Sequence, residues 1–591
     1  MDLNNQILYK MLSFFKAFNK LYLTIIIWMI VFVIPVISLH IPVMHNEEMA
    51  KVLLKTQWYD DYYCLIKVIV LYCATILLFF LFLFKRGIKV RLYKGFLLLV
   101  PYVACLLLSM YFSEYKISAL FGIVDHFEGG LTQLCYICIL VFSYYLIDNA
   151  SSGVMIFKAM LNAALIVSII GLLQFTGFFH IERAFEISST IGNSNYVGTY
   201  ALLLLPVAFL LVLMESNQLK KICYILFYFG SALFLLIGSR SRAGYVGFIV
   251  IIPVLLALLW KEIRKQYILV LLLIAYSFVI LVLMNVFSNG SILEEIKGLN
   301  PFYSKSQDKL YFKDIELSGD NAVIETNKWV LKLKYTGESF EFQDDNGEDI
   351  AVTRDADGHT IRFIQEPYSK IVCCEVIEKE YSWLMLKTEK KDIEFIHISG
   401  RLKIIGYNGK VTDIQSVESF GFNGKESFAS GRGYIWSRSI PLLKKAIFIG
   451  YGPDTFTYIF PQNDIVGKIN YGAIWVIIGK PHSWYLQTAL GSGLFSLFCL
   501  IALIIWYMID TVKYITNENR NLQKNTNNTT EEDEKRLISA SIMCCIIGYC
   551  ITGIFNDSVV AVSPIFWLLL GIGIRLVSEG FHNNEQNVSR R

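Results

Sequence analysis

Runs of about 20 mostly apolar residues, the length that crosses a bilayer as an α-helix, recur along this chain. They lie at 22–44, 64–84, 95–113, 130–148, 154–174, 195–215, 220–238, 244–260 and 267–287, and again at 484–509, 537–555 and 558–577. In hydrocarbon every backbone N–H and C=O must be paired inside its own segment, so each run is expected to be a helix. The expectation is an all-α polytopic membrane protein with about twelve transmembrane helices. A chain of 591 residues that is 55% hydrophobic and only 17% charged is too apolar for an ordinary soluble protein, which points the same way.

Orientation follows from the lysines and arginines of the short loops. KRGIKVRLYK (85–94), ESNQLKK (215–221), KEIRKQ (261–266) and the charged stretch 510–536 all fall on one alternate set of loops, which is therefore cytoplasmic. Lys10, Lys16 and Lys20 before the first run, and Arg575 after the last, place both termini on that same side. The opening residues lack a short apolar core with a small-residue cleavage site, so they read as a basic cytoplasmic lead-in and not as a signal peptide. The tract NENRNLQKNTNNTTEEDEK reads as a disordered linker.

Residues 288–430 break the helical pattern. KWVLKLKY, IAVTRDADGHTIRFI and LKIIGYNGKV alternate apolar and polar positions and are separated by Asp-Gly and Asn-Gly turns, the signature of antiparallel strands. This is an inserted β-rich extracytoplasmic domain, with the solvated faces of a small sandwich; its His359 and His397 have no companion at ligand spacing. The chain thus divides into helices at 1–287, the insert at 288–430, a loop with candidate site residues at 431–483, and three helices with a cytoplasmic tail at 484–591. Most of the 12 cysteines sit inside apolar runs and behave as small hydrophobes; Cys135 and Cys138, and the adjacent Cys373 and Cys374, have no second pair that would make a metal or redox site. The net charge of +4 is spread out, with no basic stripe for nucleic acid.

Two arginines violate the rule that set the topology. The hairpin IGSRSRAG places Arg240 and Arg242 on the extracytoplasmic side. At the bilayer centre each would cost about 2.5–3.5 kcal/mol, so the hairpin lies just outside or borders a watery cavity. Snorkelling to headgroups accounts for one arginine; two in a tight turn of small residues suit an anion, since guanidinium forks match phosphate oxygens. On the same side, GRGYIWSRSIPLLKKAIFIGYGPDTF carries Arg432, Arg438, Lys444 and Lys445 and reads as an interfacial helix on the outer leaflet followed by a tight turn. His482 follows at the mouth of the tenth run; alone it is an ordinary interfacial histidine, but beside outward arginines it is a base next to an anion clamp.

Four stretches together resemble the O-antigen ligase and polymerase superfamily (Wzy-like) of polytopic glycan transferases. TIGNSNYVGTYALLLLPVAF, with Asn193 and Asn195, is similar to its G-N-x-N-Y-x-G entry into a span. GSRSRAGYVGF looks like its S-R-x-x-x-x-G hairpin, with Arg242 in register through Gly247 and Arg240 as the alternative. GRGYIW and GYGPDTF, with Arg432 and Gly452, match its G-R-x-x-x-W and G-x-G-P loops, and HSWYLQTALGSG matches its histidine pattern through His482, Ser483 and Gly493. A fifth element, LFGIVDHFEGGL, departs from the related G-x-x-x-R-x-E-G loop, because His126 stands where arginine is usual, and a binding role for it is in doubt.

The resemblance implies transfer of a glycan from an undecaprenyl pyrophosphate carrier to the hydroxyl of a glycolipid, polymer or protein acceptor, on the outer face of the cytoplasmic membrane. Arg240, Arg242 and Arg432 would bind the pyrophosphate, and His482 would be the general base, supported by Asn193, Asn195, Ser483, Gly452 and Gly493. No cofactor is expected. The outer loops show no Asp-x-Asp or clustered carboxylates at ligand spacing, so metal independence is expected too. A polymerase that joins repeat units on the same carrier is the alternative within the family. A transporter or flippase is the alternative outside it, though the spans are nearly uncharged and show no matching broken halves. A sensor anchored by its helices leaves the arginines and His482 unexplained.

Overall fold

The computed structural model describes residues 21–44, 46–49, 58–84, 92–147, 150–178, 184–299, 310–378, 380–388, 392–516 and 529–589. The basic lead-in, most of the 85–94 loop and most of the 517–535 tract lie outside these. In chain order the first helices are α1 (Leu21–Val36), α2 (Leu65–Phe84), α3 (Lys94–Phe112), α4 (Gly130–Leu146), α5 (Ser152–Phe175) and α6 (Ser194–Met214). Then come α7 (Gln218–Gly238), α8 (Arg242–Leu258), α9 (Tyr267–Phe287) and the short α10 (Ser291–Lys297). After the strands described below follow α11 (Phe428–Ser439), α12 (Ile465–Tyr471), α13 (Trp484–Ser492), α14 (Leu494–Thr516), α15 (Glu531–Thr552) and α16 (Ser563–Ser589).

Nine of these, among the described residues, are long and apolar enough to cross a membrane, and α1, α4 and α8 are shorter apolar helices on the three remaining runs. Helix α6 is apolar all round and 94% buried, which makes it the centre of the bundle. Helix α9 is equally apolar yet only 11% buried. A helix that shows Leu271, Leu272, Phe278 and Val286 outward needs a second apolar phase, and the whole set is compatible with a multi-pass membrane protein.

Two expected runs are reshaped. Helix α1 stops at Val36, and Ile41–Met44 (β1) instead pairs antiparallel with Trp58–Asp61 (β2). Pro42 is the local reason, since it forces Ile41 into extended backbone. The run 484–509 is broken into α13 and α14 at Gly493, whose φ is 103°. A Cβ there would meet the Phe448 carbonyl oxygen at 2.5 Å, so only glycine lets the two chains approach. The N–H groups freed by the break are not orphaned: Leu494 and Phe495 donate to the carbonyls of Ala446 and Ile447, each at 2.8 Å.

The insert forms two antiparallel meanders. One sheet has the order β3 (Phe312–Ser318), β4 (Asn321–Thr326), β5 (Val330–Tyr335), β6 (Phe340–Gln343). The other runs in reverse chain order, from β13 (Val411–Thr412), β12 (Arg401–Ile405), β11 (Asp392–Ile398) and β10 (Ser382–Lys387) through β9 (Val372–Ile377) and β8 (Thr360–Phe363) to β7 (Val352–Arg354). Burial alternates along the strands with period two, and the inward residues of both sheets, such as Ile324, Leu331, Phe395 and Ile404, share one core. His397 is satisfied by Asp320 at 2.9 Å and His359 by the Glu375 carbonyl at 3.2 Å. The segment after the insert differs from the expected surface helix. Tyr434 and Ile435 of α11 are buried in a cluster with Phe456, Phe460 and Ile478, because the turn at Ala429–Gly431 folds the helix onto the protein.

Candidate active site at one end of the bundle

Helix α13 begins at Trp484 with Ser483 as its extended N-cap, and His482 just before it takes a left-handed φ of 49°. The loop 553–562, which joins α15 to α16, carries Asp557 up to this turn. Asp557 Oδ1 accepts the Ser483 N–H at 3.1 Å, and Oδ2 lies 3.2 Å from His482 Nδ1. The approach lies off the ring N–H axis, so Oδ2 has no aligned hydrogen bond, and the pair is a close contact of carboxylate and imidazole. The carboxylate is fully buried while the imidazole is 42% exposed. Burial alone would raise the Asp557 pKa, but the His482 contact, Lys480 and His126 outweigh it and hold the group below the usual carboxylate range. A buried anion on Nδ1 fixes the ring and leaves Nε2 as the open nitrogen.

Lys480 stands two residues upstream, with its ammonium 5.7 Å from the ring centre of Tyr196. Burial disfavours its charge, yet Tyr196, Asp125 and Asp557 together push its pKa upward, so it is a fixed cation. It lines a small cleft with Asp454, Thr455, Gly479, Pro481 and Gln487. Arg432 donates to the carbonyls of Phe555 at 2.7 Å and Ala429 at 2.9 Å, and to Asn556 Oδ1 at 3.4 Å. It thus clamps the loop that presents Asp557. Burial lowers its pKa, opposed by Asp557, without bringing a guanidinium near neutrality.

The two asparagines of the first motif take different places. Asn193 caps α6 by accepting the Asn195 N–H at 2.9 Å. The Asn195 carbonyl accepts from Asn556 Nδ2 at 3.2 Å, and its Oδ1 accepts from Ser241 Oγ at 3.4 Å. The arginine hairpin therefore reaches the His482 loop through Ser241, Asn195 and Asn556, not through its arginines. Those turn to α10: Arg242 Nε donates to Glu295 Oε2 at 2.8 Å, and Arg240 Nη2 lies 3.5 Å from Oε1 of the same carboxylate. Two guanidinium groups share one carboxylate, leaving a net positive charge, and Arg240 Nε is buried without a partner. Gly452 and Gly493 act through backbone alone; a Cβ on Gly452 would meet Ser113 Oγ at 2.6 Å.

Several residues at this end received no role from the motifs. His126, doubted in the sequence, pairs through Nδ1 with Asp454 Oδ1 at 3.0 Å, and Asp454 Oδ2 accepts the N–H groups of Ile123 at 2.8 Å and Glu128 at 3.2 Å. The loop 122–130 is thereby locked to the Gly-Pro turn. Glu128 is buried beneath, accepting from Tyr136 at 2.7 Å and Ser558 at 2.9 Å; burial outweighs those bonds and pushes its carboxyl up to about 8. Asp557 was findable, as an acid in a short turn between two apolar runs, by the same reasoning that picked out the arginines.

Ligand atoms of Asp61, Cys64 and Asp125 lie within 4.8 Å of one another, brought together from separate segments. Asp61 Oδ1 already accepts the N–H groups of Cys64 at 2.9 Å and Leu65 at 3.0 Å, and Cys64 Sγ donates to the Asp125 carbonyl at 3.1 Å. Lys67 and Lys480 supply positive charge nearby, so the group is already compensated.

No protein-family model, curated protein or solved structure matches this chain. The family resemblance rests on the sequence motifs alone.

Proposed function

We propose that the protein transfers a glycan from undecaprenyl pyrophosphate to an acceptor hydroxyl at the outer face of the cytoplasmic membrane, with twelve spans and both termini inside. The observation that carries this is the meeting of His482, Asp557, Lys480 and Arg432 beside Asn195 and the arginine hairpin. Motifs separated by nearly three hundred residues of chain supply one imidazole base and a set of cations at one bundle end.

In this reaction His482 Nε2 takes the proton of the acceptor hydroxyl while Nδ1–H faces Asp557. The acceptor oxygen forms a bond to the anomeric carbon, the carbon–oxygen bond to the pyrophosphate breaks, and the electron pair leaves with the phosphate, inverting the sugar carbon. Lys480 and the remaining donors of Arg432 stabilise that leaving charge. The hairpin arginines, which share one carboxylate, hold the outlying phosphate oxygens. The chemistry requires no metal or other cofactor. The test is purified protein with an undecaprenyl-pyrophosphate glycan and candidate acceptors, comparing wild type with Arg242→Ala, Arg432→Ala and His482→Ala. His482→Ala is expected to abolish transfer; unchanged transfer in all three variants would refute the site. A polymerase would use a second lipid-linked glycan as acceptor in the same assay.

A further inference from the structure

The β domain and the His482 segment are joined by one helix. Helix α12 places Ile465 and Ile469 in the β core, together with Ile474 beyond its end. Its Asn470 grips the first long strand at both backbone groups of Phe312, accepting the N–H at 3.0 Å and donating to the carbonyl at 2.7 Å.

On the same helix Lys468 is 0% exposed, an unusual place for an ammonium. It donates to the Val476 carbonyl at 2.7 Å and to Gln462 Oε1 at 3.3 Å, and it lies 5.0 Å from the ring centre of Tyr407, just past β12. Gln462 completes the tie. Its Oε1 accepts the Ile478 N–H at 3.0 Å and its Nε2 donates to the Ile478 carbonyl at 2.8 Å. The chain at 476–478 is thus held by a buried ammonium and a buried amide immediately before Lys480 and His482. Burying a charge costs several kcal/mol unless its bonds return it. An apolar residue would fill this space without that cost, and none of the transfer chemistry uses Lys468.

We propose that Lys468 is a positioning residue: it ties the β domain to the segment 476–482, so that the domain's seat on α12 sets where Lys480 and His482 stand. This rests on the reading of His482 as the base. The insert is then part of the reaction centre's frame. Burial pushes the Lys468 pKa down to about 8, opposed by Asp464. The other charged or titratable groups around it are Arg438, paired with Asp464 at 2.7 Å, Tyr434 under the Arg438 guanidinium, and Lys410 over Tyr407. The charged tie is present below that value and weakens above it.

The test uses the full chain in detergent, with amide hydrogen exchange and glycan transfer measured on Lys468→Met, Lys468→Arg and the milder Tyr407→Leu. Lys468→Met is expected to speed exchange at 476–478 more than in strands β3–β12. It should lower kcat by about 10²-fold, the scale of a small misplacement of a catalytic group, with KM within about threefold. Lys468→Arg should restore kcat and remove the fall in transfer expected of the wild type above about pH 8. If Lys468→Met loosens the whole chain, Tyr407→Leu decides, because it must still loosen 476–478 selectively. Unchanged exchange at 476–478, or a pH profile identical in the Arg variant, overturns the proposal. A wild type that transfers no glycan refutes the reaction reading instead, and the exchange pattern still decides the tie.

Discussion

The imidazole, the buried carboxylate and the cations around them divide into residues that sequence reveals and residues that only folding reveals. His482 is visible in the sequence because outward arginines and a motif accompany it; alone it would be an ordinary interfacial histidine. Asp557 stands out only as an acid in a short turn between apolar runs; its pairing with His482, 75 residues away, is revealed by folding alone. Asp557→Asn keeps the shape and the Ser483 bond but removes the charge that fixes the ring. It is expected to lower kcat by about 10²- to 10⁴-fold, in the range of general-base effects, with protein yield and thermal stability near wild type; a loss matched by unfolding would mean a structural role. Glu128 makes a different prediction. Its carboxyl is raised to about 8, so between pH 4.5 and that value the folded chain keeps a proton that the unfolded chain has lost. Stability must therefore fall as pH rises through this window, by at most about 1.4 kcal/mol per pH unit for one group. Glu128→Gln cannot ionise, so its melting temperature in detergent should gain on the wild type from pH 5 to pH 8; parallel curves would contradict the assignment.

Among elements, the apolar runs were legible because a span is defined by length and composition, properties a sequence displays directly. The break at Gly493 was not, because its cause is a distant segment, 446–448, that arrives from the loop and takes over the freed N–H groups. A run of apolar residues carries no mark of such a visitor. Gly493→Ala would put a methyl against the Phe448 carbonyl and force alanine to a φ of 103°. The expected cost is about 1–3 kcal/mol for the backbone strain alone, with more from the clash. A variant that melts with the wild type would show that the chains are not in contact there. Likewise, Arg240 and Arg242 stand out in the sequence as anomalous, but their shared partner Glu295 sits on α10, inside what reads as the start of the insert. Glu295→Gln should free both guanidinium groups. If they serve the carrier's phosphates, KM for the lipid-linked glycan should fall; a KM that rises or stays constant would make the trio structural.

At the scale of the whole molecule, alternation and turn chemistry exposed the β insert, and the sequence could not say how it meets the helices. That depends on α12, seven residues long, whose Ile465 and Ile469 complete a core built more than fifty residues earlier. Transfer should survive excess chelator even with Asp61, Cys64 and Asp125 grouped nearby; loss rescued only by Mg²⁺ or Mn²⁺ would place a cation in the reaction. The most direct measurement follows both halves of a labelled undecaprenyl-pyrophosphate glycan in proteoliposomes with acceptor present. Free undecaprenyl pyrophosphate is expected to appear one for one with glycosylated acceptor in the wild type and not in His482→Ala. Intact lipid-linked glycan that merely changes leaflet, at equal rates in both proteins, would contradict a transferase.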